Sequence, residues 1–174
     1  MNRLRSDIEP NFSIAEQRYP VILKLISNYT EYCDEFGDED SSVYQKLESE
    51  LSNLTAKDMS PFNVYEWWEE EGIEVLAFRI ALPAPKVVHD ISKNELTEIV
   101  KRIKNLQHNH LQQNDFINTF YLYTIFADGY FHHFLALNFK KFNPQLFQRN
   151  KAKNGQYFEY SIEDIVDRLW NDRP

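Results

Sequence analysis

The chain of 174 residues carries 27 acidic and 19 basic side chains, a formal net charge of −8, and 43% of its residues are hydrophobic. That length and apolar content suffice for a single domain, 1–174, with its own core, and they argue against a disordered chain. The lone cysteine, Cys33, excludes an internal disulfide and a thiolate metal cluster, and reads as a half-buried helix residue.

The charge is unevenly spread. From Glu31 to Glu74 there are fourteen acidic residues and two lysines, a balance of −12 that leaves the remainder at +4. Such a field attracts basic partners and repels nucleic acid over that part of the surface, with a reach of about 8 Å in physiological salt. A solvated face that only keeps the chain soluble is the alternative. Farther on, "KKFNPQLFQRNKAK" holds five basic residues and no acidic one. Beside a net acidic body, five such charges predict only weak, strongly salt-dependent contact with nucleic acid. The opening "MNRLRSDIEPNFSIAEQRYP" has charges and two prolines where a secretory signal needs an apolar run, which predicts a cytoplasmic protein.

In chain order, "YPVILKLISNYTEYCDEFG" places Ile22, Leu25, Ile26, Tyr29, Cys33 and Phe36 at helical spacing, with Pro20 near the start and Gly37 able to end the helix. "SSVYQKLESELSNL" repeats Val43, Leu47, Leu51 and Leu54 on one face, so two helices joined by "GDED" are expected to pair. "SPFNVYEWWEEEG" reads as a third helix, capped by Ser60 with Pro61 in its first turn and stopped at Gly72. In "IEVLAFRIAL" the period changes to alternation, with Leu76, Phe78, Ile80 and Leu82 on one side, which predicts a strand. "SKNELTEIVKRIKNL" has Ser92 and Glu95 at capping-box spacing ahead of an apolar stripe and is the clearest helix.

The aromatic stretch "FINTFYLYTIFADGYFHHFLALNFKKF" is interrupted by Asp128-Gly129 and His132-His133, so it is too broken for a membrane span. Asp-Gly between β-rich runs predicts a two-residue hairpin turn. "LFQRNKAKNGQYFEY" predicts a second hairpin at Asn154-Gly155, and Ser161 caps a last helix, "IEDIVDRLW". The expected fold is therefore α+β: a mainly antiparallel sheet of two hairpins plus an earlier strand, packed with about five helices.

Catalytic templates find little support. Four glycines, none in a phosphate-loop or dinucleotide pattern, argue against those nucleotide sites. Counted from Asp38, a calcium loop would meet Val43 where glycine is needed and Ser49 where glutamate is needed. "HNH" at His108 to His110 reads as a polar link. On a strand, His132 and His133 would point to opposite faces and share no metal. No cofactor, no metal and no catalytic residue is expected on this reading.

"VYEWWEEEG" stands apart. Trp67 and Trp68 diverge by about 100° on a helix, so one of them can lie at the surface beside Glu69, Glu70 and Glu71. An aromatic anchor in an acidic rim suits a basic protein partner, although both tryptophans could equally cover the core. The candidate partner-binding set is Asp34, Glu35, Asp38, Glu39, Asp40, Trp67, Trp68, Glu69, Glu70 and Glu71.

A small, acidic, aromatic-rich chain of this kind, ending in "GQYFEYSIEDIVDRLWND", resembles the immunity proteins of bacterial toxin systems, in particular those of contact-dependent growth inhibition. The resemblance implies an inhibitor that binds a cognate toxin, often a basic nuclease, and covers its active site or a neighbouring surface; it assigns no individual residue. Two other classes stay open: a ligand-binding protein or enzyme that uses the aromatic hairpin and its histidines, and a structural homo-oligomer such as a homodimer.

Overall fold

A computed structural model describes residues 4–106, 114–126 and 128–171, apart from the side chains of Trp68 and Glu70. Its order is α1 (Phe12–Phe36), α2 (Ser42–Thr55), α3 (Trp67–Glu70), α4 (Ile73–Ala81), α5 (Lys93–Lys104), α6 (Asp115–Phe120), α7 (Tyr130–Asn138), β1 (Asn150–Lys151), β2 (Tyr157–Phe158) and α8 (Ile162–Trp170). The fold is mostly helical, and the described strands make one two-stranded antiparallel ribbon. This overturns the expected sheet-based α+β architecture. Among the described residues no helix is long and apolar enough to cross a membrane.

The chain forms two compact units, residues 11–84 and residues 1–10 with 85–174. In the first, α1 packs chiefly on α4 and also on α2. Ile22, Ile26 and Tyr29 of α1 are buried with Leu47 and Leu51 of α2 and with Leu76, Phe78 and Ile80 of α4, and the Phe12 and Phe78 rings stack at 5.8 Å. Asn11 starts α1 by accepting from the Ile14 amide, so Pro20 lies inside the helix and not near its start. The expected strand over "IEVLAFRIAL" is instead α4. Leu76, Ala77, Phe78, Ile80 and Ala81 are all buried, and a helix apolar on most sides contains the alternating positions of a strand face among its buried residues. Ser60 caps no helix; it donates to Asp58 Oδ2 at 2.7 Å in a turn, and the third helix shrinks to the single turn of α3.

In the second unit α5 packs on α8; α5 carries the expected Ser92–Glu95 capping box, and the expected cap Ser161 forms a capping box with Asp164 as well. The Asn154-Gly155 hairpin is present, with Asn150 opposite Phe158 and Lys151 opposite Tyr157. The Asp128-Gly129 hairpin is not. Its first arm is α6 followed by a tight helical turn, Tyr121–Thr124, and its second arm is α7. Asp128 has the left-handed φ of +68° that a hairpin would need, but Gly129 has φ −84° and is the N-cap of α7. Glycine is needed there for a close approach: a Cβ would sit 2.5 Å from the Tyr123 carbonyl oxygen and 2.8 Å from that of Phe126. The aromatic residues of this segment that read as β-rich pack as helix faces instead, with Phe131, Phe134 and Leu135 buried.

Candidate functional site

Residues 11–84 hold fifteen acidic and five basic side chains, so the acidic sector has one unit to itself. Its acids divide by role. Asp38 works inside the fold: its carboxylate accepts from the Val43 amide at 3.2 Å, the Tyr44 amide at 2.9 Å and the Tyr29 hydroxyl at 3.3 Å. It thereby satisfies donors at the start of α2 that would otherwise lack partners. Asp40 accepts from the Ser42 amide at 3.0 Å, and that hydrogen bond holds its pKa below the usual carboxylate range. Glu71 receives Arg79 Nη1 at 2.7 Å beside α4.

Trp67 is half-buried, and its indole N–H donates to Thr30 Oγ1 at 3.1 Å, tying α3 to α1. That is a bond within the fold. Glu69 is exposed. Trp68 and Glu70 have side chains outside the described residues, as do His108 to His110 in full. Asp34, Glu35 and Glu39 are exposed, with Glu31 one helical turn before Glu35.

The aromatic member of this surface is one that sequence spacing assigned to the core. Phe36 ends the apolar stripe of α1, yet it is 67% exposed, and the last buried residue of α1 is Tyr29. Tyr32, one turn earlier, is also exposed, and the two rings meet at 5.3 Å. Glu31 and Glu35 occupy the neighbouring strip of the same helix and Glu39 follows just past Gly37, whereas Asp34 lies on the far side of α1. The only advance sign was the position of Phe36 inside "CDEFGDED", where polar residues close in on both sides.

No family model, curated protein or solved structure matches this chain. The site therefore has to be read from its own chemistry. A pair of exposed rings flanked by Glu31 and Glu35 offers ion pairing, cation–π contact and apolar area to arginine- or lysine-bearing surfaces.

The histidines of α7 lie on different faces of a helix, not of a strand. His133 is exposed, with Nε2 3.1 Å from Asp128 Oδ1. His132 is buried between the Phe142 and Phe147 rings, at 6.0 and 5.3 Å, and its Nδ1 has no hydrogen-bond partner. Burial pushes its pKa down. Among the described residues no group of three or more His, Cys, Asp or Glu side chains is placed to hold a metal ion.

Proposed function

We propose that the chain is an immunity protein that acts in the cytoplasm by binding a cognate bacterial toxin domain of basic charge. The observation that carries this reading is the exposed Tyr32–Phe36 pair at the acidic end of α1. Exposed aromatics give a partner concentrated contact energy, while the neighbouring carboxylates steer a cationic surface and pair with its arginines and lysines. A nuclease site evolved for phosphates is the kind of surface such carboxylates complement. Glu31, Asp34, Glu35, Glu39, Asp40 and Glu69 form the exposed set, whereas Asp38 and Trp67 serve the frame that presents it.

The test is capture of the bound protein from the native cell, followed by binding of the isolated toxin domain to variants. Phe36→Ala should weaken the complex by about tenfold or more, the loss expected of an aromatic hot spot. Glu35→Lys should slow association, with an effect that shrinks as salt rises. The reading fails if the toxin encoded beside the gene is neither bound nor neutralised at low salt.

A further inference from the structure

Two groups of cations stand out in the unit built from residues 1–10 and 85–174. Arg5, Lys93, Arg102 and Lys104 each lie within 3.5 Å of a carboxylate. Arg149, Lys151, Lys153 and Arg168 have no carboxylate at ion-pair distance among the described residues, and three of them lie over aromatic rings. Arg149 sits 4.6 Å from the centroid of Tyr157, Lys151 5.9 Å from the same ring, and Arg168 4.4 Å from that of Tyr160.

The β1–β2 ribbon organises this face. Lys151 opposes Tyr157 across the ladder, so cation and ring stand side by side. Tyr157 is 58% exposed, and Phe158, on the opposite side of the strand, is 39% exposed and meets Tyr160 edge-on at 5.1 Å. Beside the ribbon lies a cleft of about 830 Å³, lined in part by Asn143, Gln145, Asn150, Tyr160 and Arg168. Two carboxylates also line it, but both are engaged: Asp164 accepts from the Ser161 hydroxyl at 2.8 Å, and Asp167 receives Lys93 Nζ at 2.7 Å.

We propose that the ribbon, with its two sides carrying Tyr157 and Phe158 and the cleft beside it, binds single-stranded nucleic acid. Its cations supply phosphate contacts, the exposed rings supply stacking surfaces that accept any base, and the Gln145 side-chain amide supplies a donor and an acceptor for base edges, whereas Asn150 already donates to the Gln145 and Gln148 carbonyls and Asn143 accepts from the Gln145 amide. A guanidinium held over a tyrosine ring does not spend its N–H donors on the ring, so they are left for phosphate oxygens. An acidic peptide would match the charge but would leave Tyr157 and Phe158 without planar partners. The contact is strongly dependent on salt because it rests on a few cation–phosphate pairs.

The test is fluorescence anisotropy of the full chain with labelled oligouridylate and oligothymidylate of about twelve nucleotides. Binding should be seen at about 50 mM salt and fall steeply towards 200 mM, with a log–log slope of about −3 for four or five phosphates. Tyr157→Ala should weaken binding about fivefold or more, and Lys151→Glu with Lys153→Glu should abolish it. Phe158→Ala gives an independent check should the Tyr157 variant fold poorly. No anisotropy change at about 100 µM protein and low salt would overturn the proposal. So would ring-deleted variants that bind as the parent does, or displacement of the oligonucleotide by an equal concentration of polyglutamate. Phe36→Ala should bind the oligonucleotide normally, which separates this outcome from that of toxin binding.

Discussion

Arg102 reaches Glu9 across ninety-three positions: its Nη1 donates to both carboxylate oxygens, at 2.7 and 2.9 Å. The same nitrogen donates to the Tyr121 hydroxyl at 3.1 Å, and Nε donates to Glu98 Oε1 at 3.1 Å. Arg102 and Glu98 are both buried, so removing the guanidinium strands a carboxylate away from water. Arg102→Met should therefore cost about 3–5 kcal/mol in urea unfolding. Adding Glu98→Gln should recover part of that loss, since the two residues are coupled. A single-variant cost below about 1 kcal/mol would mean that the network adds little, as at exposed ion pairs.

Gly129 separates two reasons for using glycine. Its φ is ordinary, but a Cβ would press on backbone atoms of Tyr123, Thr124 and Phe126, none of which can rotate away. Gly155 has φ +86° and open space where its Cβ would go. Gly129→Ala should thus cost about 2 kcal/mol or more, as overpacking does. Gly155→Ala should cost about 1 kcal/mol, the strain of a left-handed alanine. Thermal unfolding of the two variants, with equal or reversed losses, would contradict this assignment.

These two glycines also mark how far the sequence could be read. Asn154-Gly155 and the Ser92 and Ser161 caps depend on neighbours within four positions, and local chemistry decides them. The Asp128-Gly129 turn depends on where residues 121–126 lie, which no local pattern states. In α4 the alternation of Leu76, Phe78 and Ile80 was real, but Ala77 and Ala81 are buried as well, so helical burial mimicked a strand face. At the site, the acidic sector was plain from charge alone, whereas the exposure of Phe36 depends on where burial along α1 ends. The cation stacks on Tyr157 and Tyr160 needed the ladder register before they could be seen.

Asp38 and Glu35 lie in the same acidic run and should behave oppositely. Asp38→Ala removes the acceptor for the Val43 and Tyr44 amides and should cost about 1 kcal/mol, the usual loss for a helix cap. Glu35→Ala alters an exposed position and should leave unfolding within about 0.5 kcal/mol. Denaturant midpoints of the pair measure this directly, and a larger loss at Glu35 would assign the frame to the wrong acid.

Lys57 donates through Nζ to the Arg79 carbonyl at 2.7 Å and lies 5.5 Å from the Phe62 ring centroid. Burial, with Arg18 and Arg79 nearby, pushes its pKa down to about 8. The unfolded chain holds this proton up to an ordinary lysine pKa of about 10.4, so between the two values the unfolded state binds more protons and stability rises with pH. Relative to Lys57→Met, the parent should gain stability from pH 8 towards 10. Parallel curves for the two proteins over that window would show that the lysine is not buried as a cation.

His132 should give a dependence of the same sign at lower pH. Its ring lies between Phe142 and Phe147, Nδ1 lacks a partner, and burial lowers its pKa below the ordinary value of about 6.5. The folded form thus resists protonation that the unfolded chain accepts freely, and stability is lost as pH falls below about 6.5. Neighbouring His133 adds to the effect by disfavouring a second charge, while Asp128 opposes it. His132→Phe places a third phenyl ring in an aromatic setting and removes the titrating group. Its unfolding temperature should fall less than the parent's between pH 7.5 and 5, whatever the offset between them at neutral pH. His133→Phe, changed at an exposed ring, should leave the parent's pH profile largely in place. A His132→Phe profile as steep as the parent's would show that the buried ring is not the group behind the acid sensitivity.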